Sequence, residues 1–172
     1  MFDEKVKTRK LSERSRRIYD FIDANHTGVL ASVDPNGNPH AAVIYHVISK
    51  KDFSVCFLTK TGTKKFDNLI RDDHVVLVVF DPVSQTVAHV TGKAEQLTVT
   101  DDIDEVATEI FRATTKAGQS GIAPIQKLNA GDYAAFKIQP AQIRMASFSS
   151  PGTGDYSQLF ESVESFELNP TL

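Results

Sequence analysis

The sequence predicts a mostly β protein with short helices, folded as a six-stranded antiparallel barrel, closed or split. Three observations carry the prediction. Apolar runs rich in β-branched residues recur along the chain. Short segments of turn-forming residues separate them, and spacings this short argue for antiparallel hairpins. Closing such a set of strands removes the exposed edges an open sheet would carry.

Leu11, Ile18, Phe21 and Ile22 keep helical spacing, and Ser12 suits an N-cap, so a helix is expected over 12–25. Three strands follow, over 27–33, 39–48 and 53–59. Asp34-Pro35-Asn36-Gly37 closes the first hairpin with the residues a tight turn needs. Ser49-Lys50-Lys51-Asp52 closes the second. A helix begins near Thr63. Val75 to Phe80 is a continuous apolar run, expected to be a strand buried on both faces. Asp81-Pro82 turns the chain into a longer strand, 86–99, whose Gly92 marks a bulge or bend. Asp101 and Asp102 start an acidic helix carrying Ile103, Val106, Ala107, Ile110 and Phe111. Residues 114–131, rich in Gly, Thr and Ala, are expected to form a mobile loop with a short helical turn. The last strand, 132–148, contains Pro140, which marks an edge or a bend. Residues 1–148 therefore form one domain with an N-terminal helix, and 149–172 a mostly polar C-terminal tail.

A chain of 172 residues suits one domain with a sizeable core. Hydrophobic residues make up 41% and charged residues 24%, an ordinary globular balance. No apolar run is long enough to span a bilayer and no signal-peptide core is visible, so a cytoplasmic protein with no membrane role is expected. The single cysteine, Cys56, excludes an internal disulfide framework. The net charge of −3 gives no general pull toward nucleic acid. The basic residues from Lys5 to Arg17 are read as a solvated helix face or a partner for an acidic surface, not as a nucleic-acid arm.

The chemically richest stretch is "FLTKTGTKKFDNLI", Phe57 to Ile70. A helix that begins near Thr63 leaves its first backbone N–H groups unpaired and adds a partial positive charge there. Gly62 lets the backbone approach a ligand without a Cβ in the way. Lys64 and Lys65 add formal charge, and the threonines add hydroxyl donors. Together these make a cradle for a phosphate, each charge-assisted contact contributing roughly 1.5–3 kcal/mol. The alternative is a plain helix cap with solvated lysines. It is not a Walker loop, because only one of the required glycines is present.

In order and spacing these residues resemble the FMN-binding split barrel of the pyridoxamine 5′-phosphate oxidase superfamily. There a strand ending in aromatic–Tyr–Thr leads into Gly-Ser-Arg-Lys at a helix start. "FLTKTGTKK" has the same spacing, with Thr59 at the strand-end threonine, Thr63 at the serine, and Lys64 and Lys65 at the Arg-Lys pair that holds the FMN phosphate. "GVLASVDPNGNPHAAVIYHV" resembles the first hairpin, whose second strand lies along the flavin. "HVTGKAEQL" resembles the later strand with its central glycine, and "FKIQPAQIRMASF" the closing strand. The resemblance covers roughly residues 15–148.

The resemblance implies FMN as cofactor, with His40, Val43, Tyr45, Thr59, Thr63, Lys64 and Lys65 lining its site. It further implies a homodimer with the cofactor at the subunit interface, and a small-molecule substrate. Three departures separate the chain from the true oxidases. His40 stands where they have an arginine, Tyr45 where they have a lysine, and Val87 where they have a flavin-contacting glutamine. Their Arg-rich C-terminal segment is not recognisable. The chain looks closer to the general stress and uncharacterised flavin proteins of the superfamily. The implied function is an FMN-dependent oxidoreductase. Its rivals are a non-catalytic flavin-binding or sensing module and a deazaflavin-dependent reductase. The deazaflavin's longer anionic tail asks for more basic residues than Lys60, Lys64 and Lys65.

No metal site is expected. His40 and His46 share a strand face but lie about 20 Å apart at ~3.3 Å per residue. His26, His74 and His89 show no ligand spacing. Cys56, between Val55 and Phe57, suits a small buried apolar role. No side chain is singled out as catalytic. The carboxylates from Asp101 to Glu109 are accounted for by helix-dipole support.

Overall fold

The computed structural model describes residues 12–116, 132–148 and 162–169. The elements run α1 (Glu13–Ala24), β1 (Thr27–Val33), β2 (Pro39–Ile48), β3 (Val55–Lys60), α2 (Lys64–Arg71), β4 (His74–Asp81), β5 (Thr86–Gln96), α3 (Thr100–Lys116), β6 (Tyr133–Phe148) and β7 (Ser162–Leu168). Local chemistry sets most of the boundaries. Ser12 caps α1, its Oγ accepting from Ser15 N at 3.1 Å. In the β1–β2 turn Asp34 Oδ1 accepts from both Asn36 N and Asn38 N at 2.9 Å, and Gly37 takes the positive φ of 81° that favours glycine. β3 starts two residues later than expected. The preceding turn extends through Phe53, at φ 59°, and Asp52 Oδ1 accepts from Ser54 N and Ser54 Oγ.

The strands pair in the order β3-β2-β1-β4-β5-β6-β7, and a further β3–β6 pairing closes the first six into an antiparallel barrel. β6 is long enough to serve two partners on one side. Its first part pairs β3, from Tyr133 to Ile138, and its last part pairs β7, from Ile143 to Phe148. Pro140 falls in the gap between them, where its missing N–H costs no ladder bond on that side. Opposite it lies the expected bulge, a register shift at Thr91/Gly92. A Cβ on Gly92 would stand 2.2 Å from Gln139 O, so only glycine fits.

Two expectations need correction. The segment 149–172 is not simply a tail, because 162–168 forms β7 along β6. Nor is β4 buried on both faces. Val75, Leu77 and Val79 are buried, whereas Val76 and Val78 are half-exposed and Phe80 is 51% exposed. β-branched residues on an uncovered outer face produced the same continuous apolar run that double burial would.

The barrel interior holds Leu30, Ile44, Phe57, Leu77, Val90, Phe136 and Ile143, joined by Ile18 and Ile22 of α1 and Leu69 of α2. Phe57 and Phe136 stack at 5.6 Å, and Phe66 of α2 meets Phe136 edge-on at 6.1 Å. α3 lies outside. Its Val106 and Ile110 cover Val47, Cys56, Leu58 and Ala135. On the outer face α3 reaches the Tyr45–Val47 end of β2, whereas Val43 and the outer faces of β1, β4 and β5 have no helix over them among the described residues. One cross-strand row on this face runs Val43–Val29–Val78–His89–Arg144.

Candidate functional site

Thr63 is the N-cap of α2. Its hydroxyl donates to Lys60 O at 2.9 Å and accepts from Phe66 N at 3.3 Å, so it holds the turn. Gly62 sits at φ 71° with open space where a Cβ would be. The turn therefore needs glycine for its backbone conformation, and its outer side is unobstructed. Among the described residues, no group accepts from Lys64 N or Lys65 N. These are two of the orphan amides that every helix start leaves.

The two lysines differ. Lys64 is exposed, and its Nζ lies 3.5 Å from Asp34 Oδ2. Lys65 is half-buried and has no ion pair or hydrogen bond among the described residues. Burial pushes its amine below the ordinary lysine range. A half-buried cation without a partner is a group that a bound anion would relieve, and this tests well against a phosphate.

α2 is fastened to the end of β1. Asn68 Nδ2 donates to Ser32 Oγ at 3.2 Å inside the structure, and the Arg71 guanidinium donates to Val33 O at 2.9 Å. Ser32 pairs directly with His40 across the hairpin. His40 is half-buried, and its Nδ1 is buried without a partner among the described residues. The β1–β2 hairpin, the start of β2 and the first turn of α2 thus meet at one end of the barrel. Thr59 is buried on the inward side of β3, with Phe57. Among the described residues its hydroxyl makes only a 3.5 Å contact, to Lys60 O.

The remaining predicted residues lie elsewhere. Strand alternation places Val43 and Tyr45 on the outer face of β2, opposite His40. Val43 is 66% exposed. Tyr45 is half-buried and packs against the Val106–Ile110 cluster under α3. It serves packing there. The expected mobile loop overlaps α3 at 114–116, and its remainder lies outside the described residues. Cys56 is fully buried, and burial pushes its thiol up to about 12, away from nucleophile chemistry.

Sequence reasoning missed Asp34, which it took as a turn former only. The Asp-Pro-Asn-Gly motif signals the turn, but no local signal tells that its carboxylate meets Lys64. It also read no ligand spacing at His74, because it weighed the histidines alone; the ligand atoms of Asp72, Asp73 and His74 lie within 4.8 Å of one another. These groups already pair. His74 Nδ1 is 3.0 Å from Asp72 and 3.2 Å from Asp73, and Lys93 is 3.3 Å from Asp73.

Residues 15–147 match the sequence profile of the family described as Pyridoxamine 5′-phosphate oxidase. Among proteins of curated function, none matches the chain by sequence. Solved structures share the fold. A heme binding protein from Mycobacterium smegmatis superposes with a TM-score of 0.67 at 12% identity, over 94% of this chain and 60% of that one. This chain therefore spans less than two thirds of that protein. A FAD-binding protein from Mesorhizobium loti superposes with a TM-score of 0.60 at 18% identity, over 81% of this chain and 96% of that one. General Stress Protein 26 from Bacillus anthracis gives 0.56 at 19% identity, over 76% and 92%.

Proposed function

Since this chain belongs to the pyridoxamine 5′-phosphate oxidase family, we propose that it binds FMN at the first turn of α2 and acts as a flavin-dependent oxidoreductase on a small molecule. The observation that carries the reading is Lys65, a half-buried cation without a partner among the described residues, beside two helix-start amides likewise unpaired there. Lys65, Lys64 and the amides of α2 would hold the phosphate, and Thr59 and His40 would border it. A bound flavin would supply the electron chemistry. The chain's own part is to anchor the phosphate and shield the ring from water.

A cytoplasmic homodimer with the cofactor between subunits completes the proposal. What supports it is the uncovered outer sheet face, where Val43 is 66%, Phe80 51% and Val29 41% exposed. Apolar side chains side by side at that exposure suit a second copy better than water. Val43, at the β2 end of that row, would lie at the junction of the pocket and the partner.

A second reading, a module that binds or senses a flavin without turnover, is favoured by Tyr45. Its ring packs under α3 and offers no charge where the oxidases carry a lysine. The first test is a titration of the purified protein with FMN, followed by absorption in the blue and near-ultraviolet. Saturable binding is expected, and no binding overturns the reading. Turnover with a nicotinamide reductant then separates oxidoreductase from module.

A further inference from the structure

Resting on the FMN reading, we infer that Asp34 competes with the cofactor phosphate for Lys64 and thereby keeps the cofactor exchangeable. Asp34 Oδ2 lies 3.5 Å from Lys64 Nζ. The carboxylate is built into the hairpin and cannot swing away. Its Oδ1 accepts from Asn36 N and Asn38 N at 2.9 Å each, its Oδ2 accepts from Asn38 Nδ2 at 3.4 Å, and the residue is buried. Lys64 is the mobile partner, an exposed side chain on a flexible stem.

The two lysines of the turn are therefore not equivalent toward an anion. Lys65 has no competing partner among the described residues and is free to take a phosphate directly. Lys64 reaches the phosphate only by leaving Asp34. The phosphate then also sits near a fixed negative charge that two backbone amides hold in place. A dianion feels this penalty strongly and an uncharged ligand does not. The arrangement weakens phosphate capture while leaving the ring's own contacts untouched, as suits a flavin that enters and leaves.

The experiment is a fluorescence titration of FMN and, separately, riboflavin into the wild type, Asp34→Asn, Lys64→Met and the double variant, at low and high salt. Asn at 34 keeps an oxygen for the two amides, removes the charge and gives up only the long 3.4 Å contact from Asn38 Nδ2. Asp34→Ser is a second charge-removing variant that still caps the turn, and thermal melts check that each variant is folded. The expected result is at least fivefold tighter FMN binding by a folded charge-removing variant at low salt. Riboflavin binding stays unchanged, and the gain is clearly smaller in the Lys64→Met background, where only the direct repulsion between Asp34 and the phosphate is relieved. Unchanged FMN affinity overturns the inference, and so does a gain that is undiminished without Lys64 or appears equally for riboflavin. A wild type that binds neither ligand overturns the FMN reading itself, which distinguishes the two failures.

Discussion

Replacing His46 by Leu is expected to stabilise the protein, and more strongly in acid. His46 is fully buried on the inner face of β2, and neither ring nitrogen has a partner among the described residues. A neutral imidazole carries one N–H, and leaving it unpaired in the interior costs about 1–3 kcal/mol. Leu has nearly the same volume, so the swap adds little cavity or strain. Burial, and then the nearby His26, push the His46 pKa from 6.5 down to about 3. The folded state thus refuses a proton that the unfolded chain accepts. Stability is complete above 6.5 and falls as pH drops through the window from 6.5 to about 3, by ~1.4 kcal/mol per unit. At pH 5 the loss is about 2 kcal/mol. Urea unfolding followed by circular dichroism at pH 7.5 and pH 5.0 measures both effects. The Leu variant should lead by about 1–3 kcal/mol at the higher pH. Its lead should widen by a further ~2 kcal/mol at the lower. A gap of equal size at both values would refute the reasoning, because His46 would then be taking up its proton inside the fold.

Other outcomes test other parts of the structure. Lys65→Met should weaken FMN binding at least tenfold and leave riboflavin binding unchanged, measured by the same titration; equal losses for both ligands would place the phosphate elsewhere. Gly92→Ala should destabilise by about 3 kcal/mol in urea, since its Cβ would meet the β6 backbone at 2.2 Å; a cost below ~1 kcal/mol would mean that β6 can shift at the bulge. Thr63→Ala should cost about 1 kcal/mol through the lost cap, with Thr63→Ser restoring it. Val29→Asp should leave a folded monomer on gel filtration where the wild type runs as a dimer. A wild type that already runs as a monomer rejects the dimer proposal.

Strand positions were legible because each depends on neighbours in the chain. β1 and β2 lie at the expected residues, 27–33 and 39–48, since Asp-Pro-Asn-Gly can hardly do anything but turn. Ser12 and Thr63 announced their helices because a cap is an interaction over three residues. The site was only half legible. Gly62, Thr63, Lys64 and Lys65 could be read together because they are consecutive. Asp34 could not be joined to them, being 30 residues earlier and brought near only when α2 docks on the end of β1.

The chain's own order thus determined the class of fold, the turn chemistry and the cluster of donors after β3, all products of contacts within a few residues. Tertiary structure alone decided three further things. It left the outer face of β4 uncovered, it drew 162–168 along β6 as a seventh strand, and it set a buried carboxylate against one of the two lysines but not the other. Burial and long-range pairing depend on which surfaces meet, and an apolar run or a charged side chain reads the same in sequence whatever comes to lie against it.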